Sequence, residues 1–132
     1  MSIDATQGDL PGGLVLIVAA HPDDEILGCG GIVARHAAAG DRVETLILAE
    51  GATARQQTRD TSGGAAEINA LRDAAWAAAK VLGSEPPQFA SLPDNRMDSL
   101  TLLDIVKHVE ATVERLQPRF VYTHHGGDLN VD

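Results

Sequence analysis

His21, Asp23 and Asp24 stand together in the stretch His21-Pro22-Asp23-Asp24-Glu25. His21 and Asp24 bracket a proline that stiffens the turn, and one imidazole nitrogen with one carboxylate oxygen in that relation suits zinc, with iron(II) accepting the same donors. Asp23, between them, points elsewhere. A carboxylate held beside a metal but not consumed by it is what a general base needs to deprotonate water there. A plainer reading competes: Asp23, Asp24 and Glu25 would cap the following helix and complement its positive end. A second stretch, His124-His125-Gly126-Gly127-Asp128-Leu129-Asn130-Val131-Asp132, is also rich in His and Asp. Helix capping does not explain it. Taken singly, though, His124 and His125 read equally as surface histidines, and Asp128, Asn130 and Asp132 as turn residues beside two glycines.

The elements around these stretches set where they lie. Leu14 to Ala20 is apolar, rich in β-branched residues and without polar alternation, as in a parallel strand covered on both faces. Glu25 to Ala39 predicts a helix with Ile26, Gly30, Val33 and Ala37 along one stripe and Gly40 as its stop. Val43 to Ala49 predicts a second strand, and the aperiodic Gly51 to Gly64 a long functional loop. Ala66 to Leu82 predicts an Ala-rich helix stopped by Gly83, and Phe89 to Leu92 a short strand before the turn Pro93-Asp94-Asn95. Ser99 is expected to cap a helix buried along Leu102, Val106, Val109, Val113 and Leu116; Pro118 ends it, and Phe120 to Thr123 reads as a last strand. This alternation implies an α/β domain over residues 14–132 with a doubly wound, mostly parallel sheet, preceded by a polar leader over residues 1–13. Ligands of such sheets bind outside the carboxyl ends of the strands, where both His- and Asp-rich stretches fall.

Composition narrows the partners. The 132 residues are 44% hydrophobic but only 3% aromatic, so the core must be aliphatic. A formal charge of −9 is the wrong sign for nucleic acid or an anionic membrane surface. The longest apolar run, Leu14 to Ala20, falls far short of the roughly 18–20 residues of a membrane span. One cysteine, Cys29, and no signal-peptide pattern make a cytoplasmic location the expectation, with a homo-oligomer compatible. Other features read as structural. Gly28, Gly30 and Gly31 are in the wrong order for a dinucleotide fingerprint, Cys29 reads as a small buried residue, His36 and His108 as solvent-facing, and Trp76 as core.

The sequence resembles the zinc-dependent de-N-acetylases related to the GlcNAc-phosphatidylinositol deacetylase and the mycothiol-pathway deacetylase, the LmbE-like or PIG-L family. The resemblance rests on Ala20-His21-Pro22-Asp23-Asp24-Glu25 with Leu27-Gly28 and Gly30-Gly31, and on Thr123 to Asp132, with Val81-Leu82-Gly83 and Leu92-Pro93-Asp94 between them. It implies a Rossmann-like three-layer fold, incomplete at its C-terminal side, and metal-assisted removal of an N-acetyl group from an amino sugar or its conjugate. His21 and Asp24 would be zinc ligands and Asp23 the general base. The family's third ligand is a histidine directly after the Asp that matches Asp132, so the sequence is expected to be the N-terminal part of a longer protein, binding zinc weakly by itself. Where some members place a histidine that assists the oxyanion or the leaving amine, this sequence has Asn130, which donates a hydrogen bond but no proton near neutral pH; Asp23 itself, His124 or His125 would then supply the proton. Arg72 and Asp94, or Asp98 in place of Asp94, are the expected sugar contacts. A metal-independent carbohydrate or nucleotide binding module, and an inactive fragment of a deacetylase, are the alternatives.

Overall fold

The structure, a computed structural model, describes residues 12–51 and 64–132. The expected leader, but for its last two residues, and the interior of the expected Gly51 to Gly64 loop lie outside the described residues. In chain order the elements are β1 (Leu14–Ala19), α1 (Asp24–Ala38), β2 (Arg42–Ala49), α2 (Ala65–Leu82), β3 (Gln88–Leu92), α3 (Leu102–Leu116) and β4 (Phe120–Tyr122). All pairings are parallel and the strand order is β3-β2-β1-β4. The chain therefore builds outward from β1 to β3, then crosses back to lay β4 on the other side of β1.

Side chains alternate across β1, and the alternation sorts the helices into layers. Val15 and Ile17 pack with Val33 and Cys29 of α1 and Leu82 of α2, and Ala19 packs with Ile47 and Ala75. Leu16 and Val18 face the other way, with Leu46 and Leu48, onto Ile105, Val109, Val113 and Leu116 of α3. The result is an α/β/α sandwich. Its core is aliphatic, as the composition requires: Leu16, Ile17 and Ile47 are almost wholly shielded from solvent. Gly83 ends α2 at φ 81°, the left-handed conformation that a helix stop of this kind uses.

Several expectations need correction. Thr101, not Ser99, caps α3, accepting from the Asp104 N–H at 3.2 Å; Ser99 belongs to a 3-10 turn, Met97–Ser99. Leu102 is 75% exposed, because Leu100 in the extended segment before the helix takes its place against the core. Trp76 is 47% exposed, because Ala75 and Ala79 hold the buried face of α2 and the next residue along is turned roughly 100° away. His36 is not solvent-facing. Its Nδ1 lies 2.7 Å from Asp41 Oδ2 and its Nε2 3.1 Å from the Tyr122 hydroxyl, tying the end of α1 to β4.

Candidate active site

Between β1 and β4 the strand order reverses, which in an open parallel sheet leaves a crevice at the carboxyl ends of the strands. His21 follows β1 and His124 follows β4, so the two stretches meet across that crevice. The Ala20 N–H donates to His124 Nε2 at 2.9 Å, which holds the neutral ring with its proton on Nδ1. Beneath them is a cleft of about 230 Å³ lined in part by Asp24, Glu25, His124 and His125.

His21 is the hub. On one side, Asp24 Oδ2 lies 3.3 Å from His21 Nδ1, accepts from the His21 N–H at 3.0 Å and stands 3.5 Å from His124 Nε2. On the other, His21 Nε2 lies 2.8 Å from Asp132 Oδ2 and 3.3 Å from Asp94 Oδ1, whose residue is buried. Asp132 is fixed by the segment after β3: its carboxylate accepts from the Asn95 N–H at 2.5 Å and the Met97 N–H at 2.9 Å. Burial opposes a positive charge on His21, but the Asp132 hydrogen bond and the charges of Asp94 and Asp24 outweigh it and raise its pKa.

Asp23 is held in a different way. It occupies the N-cap position of α1 at φ 134°, ψ −29°, yet its side chain makes no capping bond. Non-glycine residues held in such regions cost about 1–3 kcal/mol and cluster at functional sites. Its N–H donates to Glu25 Oε2 at 2.9 Å, so buried Glu25 pins the turn from below. Partial desolvation, then the neighbouring Asp24 charge, push the Asp23 carboxyl upward; Glu25 rises too, mainly through burial.

These donors fit a divalent metal. Two ligands on a tetrahedral ion with bonds of about 2.0–2.2 Å stand about 3.4 Å apart, close to the 3.3 Å between His21 Nδ1 and Asp24 Oδ2. The opposite ring nitrogen facing a carboxylate is the usual companion of a metal-bound imidazole. A second seat shares the same ring: His21, Asp94 and Asp132 form a group able to hold an ion among the described residues. There, however, the Asp132 carboxylate already serves two backbone N–H groups.

The remaining expected residues divide. Asp94 joins the cluster, whereas exposed Asp98 sits in the 3-10 turn. Arg72 does not reach His21; it donates to Ser91 Oγ at 2.6 Å, with its guanidinium 5.1 Å from the Phe89 ring centre. Asn130 Nδ2 donates to Asn95 Oδ1 at 2.9 Å and its Oδ1 accepts the Asp132 N–H at 2.9 Å, so the side chain braces the terminal segment. Asp128 accepts from the Asn130 N–H at 3.0 Å, and His125 is exposed. Cys29 is half-buried against the core with its thiol pKa pushed up, first by burial and then by the Glu25 charge, and His108 is exposed as expected. Sequence reasoning missed Asp132 as the partner of His21 and gave no role to Glu50, a buried carboxylate at the end of β2. The signal for Glu50 was an acid placed directly after an apolar strand.

Comparison with known proteins bears on the fold and the family. No curated protein matches the chain. Among solved structures, 4-carboxy-2-hydroxymuconate hydratase from Pseudomonas putida is 25% identical with a TM-score of 0.69, over 89% of this chain and 50% of that one. N,N'-diacetylchitobiose deacetylase from Pyrococcus horikoshii is 19% identical with a TM-score of 0.72, over 92% and 43%. A conserved protein from Thermus thermophilus is 26% identical with a TM-score of 0.64, over 88% and 48%. The chain thus spans about half the length of these structures, and it shares their fold. The family profile PIG-L, GlcNAc-PI de-N-acetylase, matches residues 16–132, and the chain belongs to that family.

Proposed function

We propose that the protein is a metal-dependent amide hydrolase that removes an N-acetyl group from an amino sugar or its conjugate. The observation that carries this reading is the convergence on one imidazole, His21, of Asp24 at one ring nitrogen and of Asp94 and Asp132 at the other, next to Asp23, whose side chain makes no capping bond. His21 and Asp24 would hold the metal, zinc by donor type, with Asp132 and Asp94 orienting the ring from its far nitrogen. A bound divalent ion lowers the pKa of water and polarises the amide carbonyl.

The protein's own groups supply the rest. Asp23, its carboxyl pKa raised by desolvation and then by the Asp24 charge, takes a proton as water adds to the amide carbon. The C–N bond then breaks, the nitrogen receives from Asp23 the proton taken from water, and the products are a free amine and acetate. His125, exposed beside His124, would serve as a sugar contact, and Arg72, bonded to Ser91 Oγ, remains a candidate for the same role. Asp94 is better used on His21 than on a sugar hydroxyl, and Asn130 and Asp128 are better used in bracing the terminal segment.

The test is acetate release from N-acetylglucosamine and its conjugates, with metal content followed alongside. Asp23→Ala should abolish release by about 10²–10⁴-fold while leaving bound metal unchanged. Equal loss of rate and of sugar binding would favour a binding module instead. A second reading has a specific observation behind it, the 25% identity to the hydratase. The same constellation would add water across an activated double bond, and loss of the absorbance of a conjugated dienoate, without acetate release, would establish it.

A further inference from the structure

The turn that carries Asp23 is held from outside by a residue with no side chain. At the end of β2 the Ala49 N–H donates to the Ala20 carbonyl at 2.8 Å, and the Glu50 N–H donates to the Leu92 carbonyl at 3.0 Å. Ala20 directly precedes His21, and Leu92 stands just before Pro93 and Asp94. The end of β2 therefore fixes the spacing between the segments that bring His21 and Asp94 together. The next residue, Gly51, has φ +84° and lies against buried Pro22. A Cβ there would stand 2.7 Å from Pro22 Cγ, 2.8 Å from Pro22 Cδ and 3.0 Å from Leu71 Cδ1. Carbon atoms rest at roughly 3.5–4.0 Å. The Leu71 methyl ends a flexible side chain and can rotate away, but the strand cannot retreat without breaking its two backbone bonds. Pro22 must take up the displacement. His21 is tied through its N–H to Asp24, which begins α1. The movement therefore passes to the peptide joining Pro22 to Asp23, whose own N–H rests on Glu25.

We propose that Gly51 is a positioning residue: its bare backbone, packed on Pro22, sets where Asp23 stands relative to His21 and Asp24. The effect on rate rests on the amide-hydrolase reading, whereas the effect on the turn rests on these contacts alone. Misplacing a reacting group by about 1 Å can cost on the order of 10²-fold in rate. The loss therefore belongs in kcat.

The experiment is a double-mutant cycle between Gly51→Ala and Pro22→Ala. It is read by kcat and KM for acetate release from N-acetylglucosamine, by bound zinc, and by the amide cross-peaks of Asp23 and Asp24 in 15N–1H spectra. Alanine at a positive φ carries the same backbone cost in both backgrounds, while Pro22→Ala removes the two ring atoms that the new methyl would meet. With Pro22 present, Gly51→Ala should lower kcat about tenfold or more, shift both cross-peaks and leave KM and bound zinc within about twofold. With Pro22→Ala, the same change should cost less than about threefold in kcat and leave the cross-peaks in place. Gly83→Ala is the matched control, at φ +81° and packed on Ala37 at the other end of α1. It should lower the unfolding midpoint yet leave kcat and the cross-peaks unchanged. An equal fall in kcat in both backgrounds, or a folded Gly51→Ala protein with unchanged kcat and unmoved cross-peaks, overturns the proposal. Loss of zinc in step with rate overturns it too, since the effect would then lie on the ligands and not on the base. Should Gly51→Ala fail to fold, recovery of the fold by Pro22→Ala supports the contact, and failure of the double variant counts against it. A wild-type chain that releases no acetate, but shows the cross-peak shift and its rescue, retains the positioning of Asp23 and discards the hydrolase.

Discussion

At the scale of single residues, Asp23 separates the chemical reading from the capping one. A capping aspartate would have extended backbone and a side chain that accepts from the N–H two or three residues on; Asp23 has a positive φ and makes no such capping bond. Replacement by glycine should therefore relieve strain. The expected result for Asp23→Gly is a gain of about 1 kcal/mol in stability, after the entropy of the added glycine is subtracted, with hydrolysis lost. Thermal unfolding checks it, and a loss of about 1 kcal/mol would restore the capping interpretation. That His21 and Asp24 stand side by side follows from their spacing around Pro22. The conformation of Asp23 was not legible, since nothing in an aspartate's identity signals a positive φ; it is imposed by the turn that Glu25 pins.

Elements were legible wherever apolar runs ended in clear punctuation. The Leu14 run, the Ala-rich helix stopped by Gly83 and the β4 segment all form as the pattern implies, to within a residue or two at their ends. The start of α3 was not, because Ser99 and Thr101 are both capping types two positions apart, and only the packing of Leu100 decides between them. The corrected helix face is testable: Leu102→Asp should leave stability within about 0.5 kcal/mol, whereas Val109→Ala should cost about 1–2 kcal/mol, read from denaturant unfolding. The His36 link is the second case. It joins α1 to β4, a strand of three residues whose Phe120 and Val121 are exposed, and β4 leads directly into His124. The hydrogen bond from His36, aided by the Gly13 N–H, holds the Asp41 carboxyl below the ordinary aspartate range. An aspartate with a depressed folded-state pKa contributes stability that is fully present above its unfolded pKa and is lost as pH falls through the folded value. Asp41→Asn should therefore lower the unfolding midpoint at pH 7, and the deficit should vanish once the pH drops below that range.

At the scale of the whole molecule, the contact between His21 and Asp132 joins residues 111 positions apart. No local pattern specifies it; it follows from the return of the chain to β4 beside β1, which the alternation of elements implied only in outline. The same topology gathers acid at one rim: Glu25, Glu50 and Asp94 are buried at or just past strand ends, alongside Asp23, Asp24 and Asp132, in a chain of net charge −9. Shielded carboxylates crowded together disfavour the compact state unless cations or hydrogen bonds compensate. A divalent cation in the crevice should thus stabilise the folded chain as well as enable its chemistry. Anything that binds only the folded state raises its stability by RT ln(1 + [L]/Kd), about 2.7 kcal/mol at a hundredfold excess over Kd. Added zinc should raise the unfolding midpoint of the wild-type chain, and a chelator should reverse the gain. Asp24→Asn should abolish the zinc-dependent shift, whereas Asp94→Asn, which removes a partner of the far ring nitrogen, should weaken zinc by about 10–100-fold without eliminating it. The reverse ranking, with Asp94→Asn the more damaging, would move the ion to the other face of the His21 ring.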